Sequence, residues 1–372
     1  MPAEPVVPRD RPGPSAPEGG PRGVVGWYAH HAGSGHVTRA LAVAAHTRHE
    51  VVVLGSARRP SSWPAERWVA LPDDAAPLGA DPTAGGALHW APTGHPGFTA
   101  RMRRFADWVV RVRPVALVVD VSVEVALLGR LLGVPVVVTV MAGDRSDRAH
   151  RLGYDAATAL VAAWPAAVGP APVRGWRPEW TPRTHFTGAL SRLDDVRPGP
   201  PPRAAHGGAR TALRLGGAGA GGWWAHEPAP VDGWRWTRPA GDDPRSVADA
   251  LAAADVVVLH GGQNALAEVA ATRRPAVVVP DARPHDEQRA LADAVAGLGA
   301  ATVLDDPWAA GPAGWAAALD DAHRRGGEGW AAWSDRRGAR RYAAVVDAVA
   351  DQGADEGATS ASPTLLEEPE AS

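Results

Sequence analysis

The stretch His260-Gly261-Gly262-Gln263-Asn264-Ala265-Leu266-Ala267-Glu268 follows an apolar run from Asp255 to Leu259. Asn264 is the only asparagine in the 372 residues, and Gln263 is one of three glutamines. A chain that scarcely uses side-chain amides therefore places two of them side by side. The pattern predicts a buried strand, a tight glycine turn and a helix that begins near Asn264.

This stretch has the chemistry of an anion site. The strand would deliver His260 to the turn, and Gly261 and Gly262 would let the backbone approach a ligand closely. The helix that follows presents backbone N–H groups without partners, which favour a negatively charged group. Because positions four apart share one side of a helix, Glu268 lies one turn beyond Asn264 and can accept hydrogen bonds from ribose hydroxyls. The stretch predicts a site for a nucleoside diphosphate.

Composition narrows the possible functions. The length of 372 residues suggests two domains, and the net charge of −3 gives no electrostatic case for nucleic acid as a partner. All 38 basic residues are arginine, which excludes a lysine Schiff base and a P-loop lysine. With no cysteine, the chain has no thiol nucleophile, disulfide or zinc–thiolate site.

Apolar runs alternate with helix-like segments along most of the chain. Continuous apolar strands between helices are typical of parallel sheets covered on both faces. We expect an α/β protein with two Rossmann-like domains whose parallel sheets face a central cleft. The predicted strands are Gly23–Tyr28, Glu50–Leu54, Ala116–Val119, Pro135–Val140, Ala212–Leu215, Asp255–Leu259, Ala276–Val279 and Ala301–Leu304. The predicted helices are Val37–His46, Thr99–Val112, Val123–Leu132, Ser246–Ala254, Asn264–Thr272, Asp286–Gly297 and Gly329–Ala350.

Composition also places the domain boundaries. A Pro/Gly-rich N-terminal tail, 1–22, and an acidic tail, 351–372, are predicted to be disordered. Residues 23–191 form the expected first domain and 209–350 the second. A segment rich in proline and glycine, 192–208, is the expected linker.

A second group of candidate residues lies in the first half. Strand 24–28 is followed by a turn that includes Gly33, Ser34, Gly35 and His36, and Asp120 ends the strand 115–119. A carboxylate hydrogen-bonded to one imidazole nitrogen raises its basicity, so that the other can remove a proton from a hydroxyl. Two alternatives stay open: His36 is incidental to a βα turn, or Asp120 caps the next helix.

The second half repeats this arrangement. Strand 212–215 is followed by a glycine-rich loop in which Gly216, Gly217 and Gly219 could cradle a phosphate, or could form only a flexible turn. The adjacent Trp223 and Trp224 could stack on a base or a sugar, although most tryptophans of this chain are expected in the core.

Two further loops carry polar residues. Asp286, Glu287 and Gln288 follow strand 276–280 and could bind sugar hydroxyls; alternatively Asp286 caps a helix and Gln288 lies on the surface. Arg145 lies in a charged loop after strand 135–140, where it could bind phosphate or an acidic acceptor. A solvated run of charges is the favoured interpretation of that loop.

Metal and membrane signals are weak. There is no Asp-x-Asp and no histidine spacing typical of a metal site, so we expect neither a metal nor another cofactor. The sequence shows no secretory signal and no apolar run of transmembrane length, so a cytoplasmic protein is expected. Peripheral contact with the inner face of a membrane remains open.

The stretch 260–268 and the pair 287–288 match the pattern of a known family. The motif H-x-G-x-N-x-x-x-E is met by His260, Gly262, Asn264 and Glu268, and Glu287–Gln288 resembles the Asp-Gln pair that touches the donor sugar in that family. On these residues the chain resembles GT-B nucleotide-sugar glycosyltransferases. It is similar both to plant and bacterial UDP-glycosyltransferases and to the lipid-linked N-acetylglucosaminyltransferases of peptidoglycan synthesis.

The resemblance extends through the first half and covers about residues 23–305. It includes the Gly-His-Val turn with a following Ala-Leu-Ala-Val-Ala at 35–44, the run Leu-Val-Val-Asp at 117–120 and Phe-Thr-Gly at 186–188. The chain departs from the family at Ala265, where the family has serine. Alanine lacks the hydroxyl that could donate to phosphate.

The resemblance implies an inverting, metal-independent transfer of a hexosyl group. The donor would be a UDP- or TDP-sugar, which is a co-substrate, and the acceptor a hydroxyl on a small molecule or a lipid-linked sugar. His36 would be the base and Asp120 its orienting carboxylate. A nucleotide-sugar hydrolase or epimerase of the same fold, or a non-catalytic sugar-nucleotide binder, is the alternative.

Overall fold

The computed structural model describes residues 23–30, 35–75, 80–196, 208–216 and 222–360, with side chains up to residue 354. Its strands are β1 Val24–Tyr28, β2 Glu50–Gly55, β3 Trp68–Ala70, β4 Ala116–Val119, β5 Val136–Val140, β6 Gly143–Asp144, β7 Ala159–Ala162, β8 Val173–Arg174, β9 Thr184–Phe186, β10 Arg210–Leu215, β11 Trp234–Thr237, β12 Val256–Leu259, β13 Ala276–Val278 and β14 Thr302–Val303. Its α-helices are α1 Gly35–Ala44, α2 Pro96–Val112, α3 Val123–Leu131, α4 Arg148–Ala156, α5 Pro244–Ala253, α6 Gln263–Thr272, α7 Glu287–Gly297, α8 Gly311–Arg325 and α9 Gly338–Ser360.

These elements form two parallel sheets. The first has seven strands in the order β3-β2-β1-β4-β5-β7-β9, and the second has five in the order β11-β10-β12-β13-β14. The central strands β4, β5 and β12 are buried at every position, because helices cover both faces. The expected α/β fold with two parallel sheets is confirmed.

The last helix packs on the first sheet. Tyr342 and Val346 of α9 lie in one apolar cluster with Val25 and Trp27 of β1. The Tyr342 hydroxyl is 2.6 Å from Thr139 Oγ1 on β5. The last helix, which follows the second sheet in the chain, thus returns to the first sheet.

The structure differs from the predicted elements at its last helix and at several short strands. The predicted helix 329–350 is divided into a 3₁₀ turn, Glu328–Ala332, and α9, with Arg336 between them at a φ of 62°. Helix α9 runs to Ser360, ten residues past the predicted boundary at 350. The strands β3, β7, β9 and β11 were not predicted, because three or four residues without a long β-branched run resemble helix or loop in sequence.

Candidate active site

His36 and Asp120 lie in hydrogen-bond contact at the carboxyl edge of the first sheet. Asp120 directly follows β4, and its backbone N–H donates to the carbonyl of Tyr28 at the end of β1. His36 lies in the first turn of α1, and its Nδ1 is 2.7 Å from Asp120 Oδ2. The Asp120 side chain is fully buried, whereas 16% of the His36 side chain is exposed. The structure therefore brings together the two residues that the sequence analysis paired.

Asp120 does not cap the helix that follows it. Helix α3 is capped by Ser122, whose hydroxyl accepts a hydrogen bond from the Val125 N–H at 3.2 Å. The two oxygens of Asp120 are instead engaged by His36 and Arg39. The helix-cap interpretation of Asp120 is wrong.

Arg39 holds the other side of the Asp120 carboxylate, and the sequence analysis did not identify it. Its Nη1 donates to Asp120 Oδ1, and its Nη2 donates to Gln263 Oε1 at 2.6 Å. Burial raises the pKa of Asp120, but the charge of Arg39 and the contact with His36 have a larger, opposite effect. The pKa of Asp120 is therefore lowered to about 2. Asp120 is therefore ionised near neutral pH. The only sequence signal was the spacing of three residues from His36 on one helix.

The turn between β12 and α6 leaves the helix N-terminus without a side-chain cap. Gly262 occupies the N-cap position, and no side chain accepts from the first turn. Nδ1 of His260 accepts from the Gly262 N–H at 3.0 Å, so the ring proton is on Nε2. Burial, with Arg283 nearby, lowers the pKa of His260 to about 4. Near neutral pH His260 is an uncharged donor beside a helix N-terminus.

Gln288 fixes this turn from α7. Its Oε1 accepts from the Gly261 N–H at 3.1 Å and from the Asp281 N–H at 2.9 Å. A Cβ at position 261 would lie 2.4 Å from the Gln288 carbonyl oxygen, so Gly261 is required for this close approach. Gln288 is only 5% exposed, and the alternative that placed it on the surface is wrong.

The two acidic residues before Gln288 have different surroundings. Asp286 is 76% exposed and lies 3.9 Å from Arg174. It occupies the N-cap position of α7 without accepting a capping hydrogen bond. Glu287 Oε2 is 4.0 Å from Arg145 Nη2. Burial raises the pKa of Glu287, and the charges of Arg145 and Arg39 oppose that effect. Glu287 is therefore the acidic residue closer to the His36–Asp120 pair.

Asn264 and Glu268 meet the first half of the chain along one side of α6. A Cβ at position 35 would lie 2.6 Å from Asn264 Nδ2, so Gly35 permits the starts of α1 and α6 to touch. Glu268 is 7% exposed, and its Oε1 accepts from Arg192 Nε at 2.7 Å. Burial raises the pKa of Glu268, and Arg192 opposes that effect. A ribose hydroxyl would have to share this carboxylate with Arg192.

The loop around Arg145 is not a solvated run of charges, and that interpretation is wrong. Its first residues form β6, which pairs with β8. Arg145 is 5% exposed and donates through Nη2 to the Ala142 carbonyl at 2.6 Å. Its Nη1 lies 3.0 Å from His150 Nε2. The arginine is an internal support of the cleft wall next to Glu287.

Three histidines gather beside Arg145. Candidate ligand atoms of His89, Asp147 and His150 lie within 4.8 Å of one another, and the ring of His285 is 4.9 Å from that of His150. Arg145 donates to His150 Nε2, so Nδ1–H of His150 donates to Asp147 Oδ2. Both ring nitrogens of His150 are therefore hydrogen-bonded, and the positive charge of the adjacent Arg145 disfavours binding of a cation. The cluster is a hydrogen-bonded network of the cleft wall, and metal independence stays a prediction.

A cavity of about 330 Å³ opens beside the His36–Asp120 pair. His30 at its edge has its ring centroid 5.9 Å from that of His36. The carboxylates in the wall have protein partners: Glu124 accepts from the Ser122 hydroxyl, and Asp74 lies 3.5 Å from Arg101. The apolar lining consists of Tyr28, Trp90, Phe98, Met102 and Val121.

The glycine loop of the second half is described only at its ends. Gly216 follows β10, and a Cβ there would lie 2.9 Å from the Trp224 ring. Trp223 and Trp224 are buried, and Trp223 stacks on Trp315 with centroids 4.8 Å apart, so Trp223 belongs to the core. The predicted site residues Gly33, Ser34, Gly217 and Gly219 lie outside the described residues.

One family model matches within the second domain. Residues 245–312, which contain β12, the donor turn and α6, match the glycosyltransferase family 28 C-terminal domain. No curated protein matches the chain. Among the described residues, no helix is both long and apolar enough to cross a membrane.

Solved structures match along almost the whole chain. MurG of Acinetobacter baumannii is 18% identical, with 89% of this chain and 99% of that chain covered and a TM-score of 0.51. The glycotransferase of kitacinnamycin is 18% identical, with 91% and 98% covered and a TM-score of 0.53. A structure described as a putative UDP-N-acetylglucosamine 2-epimerase from Listeria monocytogenes is 12% identical, with 88% of this chain and 97% of that chain covered and a TM-score of 0.52. These likenesses show that the chain has the GT-B fold, and residues 245–312 are similar to the C-terminal domain of glycosyltransferase family 28.

Proposed function

We propose that this chain transfers a hexosyl group, with inversion, from a UDP- or TDP-sugar to an acceptor hydroxyl without a metal. The observation that carries the proposal is the His36–Asp120 pair, which lies next to the uncapped start of α6, since Arg39 beside the pair donates to Gln263. A base on one side and an anion site on the other are the two parts that such a transfer requires.

The base chemistry follows from the hydrogen bonds of His36. Its Nδ1–H donates to the ionised Asp120, which leaves Nε2 to accept the proton of the acceptor hydroxyl. The acceptor oxygen then forms a bond to the anomeric carbon. The bond from that carbon to the phosphate oxygen breaks on the opposite face, and its electron pair leaves with the nucleoside diphosphate. Asp120 stabilises the imidazolium that results.

The leaving group would be stabilised by neutral donors. The free N–H groups at the start of α6 and Nε2–H of His260 lie on the same turn. Helix N-termini favour phosphate, and donors already fixed in position stabilise the charge that develops on a leaving diphosphate. In this proposal these donors replace a metal ion. Glu268 would hold the ribose, and Glu287 with Gln288 would lie near the sugar.

The cavity beside His36 is the proposed acceptor site. Its volume of about 330 Å³ is at the small end of the range for ligand pockets. Its apolar lining, and the two carboxylates in its wall, suit an uncharged ring system better than a phosphate-bearing chain. We therefore expect a small-molecule acceptor in preference to a lipid-linked one.

The proposal is tested by donor binding and then by product analysis. UDP-, TDP- and GDP-sugars are titrated into the wild type and into Glu268→Ala by calorimetry, with Asp249→Ala on the exposed side of α5 as the matched control. We expect one nucleotide class to bind, and Glu268→Ala alone to weaken it. With aromatic acceptors, NMR of the product should show an inverted anomeric centre. Consumption of the sugar nucleotide without a glycoside product would contradict transfer and support hydrolysis or epimerisation.

A further inference from the structure

Arg39 connects the two domains through both ends of its guanidinium. Nη1 donates to Asp120 Oδ1 in the first domain, and Nη2 donates at 2.6 Å to Oε1 of Gln263, the first residue of α6. Arg39 is 5% exposed, so burial holds this bridge away from competing water. The orienting carboxylate and the donor helix therefore share one cation.

The Gln263 amide has an unused donor. An arginine can only donate hydrogen bonds, so the atom facing Arg39 is the amide oxygen and the amide nitrogen points elsewhere. Gln263 Nε2 is buried and has no hydrogen-bond partner among the described residues. A buried donor without a partner is unfavourable, so a ligand acceptor at this position is favoured. Gln263 lies in the first turn of α6, where the proposed diphosphate would bind.

We propose that Arg39 is a positioning residue that couples occupancy of the donor site to the orientation of the His36–Asp120 pair. A phosphate oxygen or a sugar hydroxyl accepts from Gln263 Nε2 and fixes the amide. The amide oxygen fixes the guanidinium, and the guanidinium fixes the rotation of the Asp120 carboxylate. This inference rests on the proposed function, since it assigns the donor to the start of α6.

The charges of this bridge also fit the reaction. Before transfer, Arg39 and Asp120 neutralise each other, and His36 must be uncharged to act as a base. When His36 accepts the acceptor proton, the group of three becomes singly positive. At that moment the diphosphate gains negative charge as its bond to the anomeric carbon breaks. The positive charge therefore develops on the base side while negative charge develops at the helix to which Arg39 is bonded.

The test uses three variants of the full chain. Arg39→Lys keeps the charge, but its compact head cannot span two acceptors in the fork geometry of arginine. Arg39→Gln removes the charge as well, and Gln263→Leu removes the partner on the donor helix. Each variant is measured for kcat, for donor and acceptor KM, for the pH profile of kcat and for donor affinity by calorimetry.

The expected results separate positioning from general stability. We expect kcat at saturating donor to fall about 10–100-fold in Arg39→Lys and in Gln263→Leu, while acceptor KM is unchanged. The acid limb of the profile should stay in place in Arg39→Lys and move to higher pH in Arg39→Gln, because only the latter removes a charge that opposes protonation of the pair. The combined Arg39→Lys and Gln263→Leu variant should lose little more than either single variant.

Two results would overturn the inference. One is additive losses in the double variant. The other is an unchanged kcat in Gln263→Leu with only donor KM raised, which would limit Gln263 to donor binding. If the Arg39 variants do not fold, the kcat–KM split of Gln263→Leu decides by itself. If donors bind but no acceptor is glycosylated, the proposed function fails, and coupling of the two positions is then tested by the donor affinities of the single and double variants.

Discussion

The two walls of the cleft use different electrostatics. On the first sheet, Asp120 and Arg39 are permanently charged, buried and in contact. On the second, the turn before α6 has uncharged groups: His260, whose pKa is lowered to about 4, and the amides of Gln263 and Gln288. Glu268, one turn further along α6, is paired with Arg192.

The difference follows from what each wall is proposed to do. A general base requires a nearby carboxylate that remains ionised, because that carboxylate must stabilise the imidazolium. A diphosphate site requires donors in fixed positions, and the N–H groups of a turn supply them without a counter-charge that must be desolvated. The proton-transfer side is therefore built from charges and the anion side from dipoles. Substitutions in the two walls should therefore have different effects on kcat and on donor affinity.

The largest effect is expected from His36→Ala. Removal of a general base lowers kcat by about 10²–10⁴-fold, while donor binding depends on the other wall and should be nearly unchanged. Transfer kinetics and calorimetry on the same preparation measure the two quantities. His46→Ala, on a residue just beyond the end of the same helix, is the matched control. Loss of both turnover and donor binding in a folded variant would remove the role assigned to His36.

The sequence predicted the parts of the site that lie at strand ends. A long apolar strand fixes where its carboxyl end lies, so the approach of His36 to Asp120 and the turn at His260 could be inferred before the structure. The two arginines that bond to site residues from distant segments were not found. Arg39 and Arg192 reach their partners from elements distant in sequence, Gln263 and Glu268, and no local pattern encodes such a meeting.

The burial of Arg145 was not predicted from the sequence either. Its loop is rich in charge, and charge in sequence usually indicates solvent exposure. The neighbouring backbone carbonyls and His150 satisfy the guanidinium, which permits burial. Burial of a charge depends on acceptors that only the folded chain supplies.

The next largest effect is expected from Glu268→Gln on the second wall. A hydrogen bond to a charged group contributes about 1.5–3 kcal/mol, so donor affinity should fall roughly 10–100-fold. Because the Glu268 carboxylate is bonded to Arg192, whereas Asp120 is bonded to His36 and Arg39, kcat at saturating donor should change little. Calorimetry with the donor and with the free nucleoside diphosphate measures the change. A loss of kcat at saturation, with donor affinity intact, would contradict the ribose assignment.

A smaller effect is expected from Gln288, which shapes the donor turn without a charge. Gln288→Leu leaves the N–H groups of Gly261 and Asp281 without their acceptor, which destabilises the fold by about 1–3 kcal/mol. Gln288→Glu retains an acceptor oxygen and is the matched control. Denaturant midpoints compare the two variants. Equal midpoints for Gln288→Leu and the wild type would show that the turn does not depend on these bonds.

The smallest effect is a difference in the acid stability of the two walls. The folded-state pKa of His260 is lowered from 6.5 to about 4, so its contribution is present above pH 6.5 and is lost as the pH falls towards 4. The pKa of Asp120 is lowered from 3.8 to about 2, so its contribution of about 2 kcal/mol is kept above pH 3.8 and lost only below it. The pKa of His150 is also lowered to about 4, so its contribution is lost over the same pH range as that of His260.

The two windows can be separated by measuring denaturant midpoints between pH 7 and pH 4.5. The wild type should lose stability in this range, and His260→Gln should lose about 1–2 kcal/mol less, because glutamine does not titrate. Asp120→Asn should be less stable at pH 7 but should follow the wild-type slope, since Asp120 titrates below the range. Parallel slopes for His260→Gln and the wild type would mean that His260 is not held neutral by the fold. The donor wall would then carry a charge near neutral pH, and the contrast between the two walls would be lost.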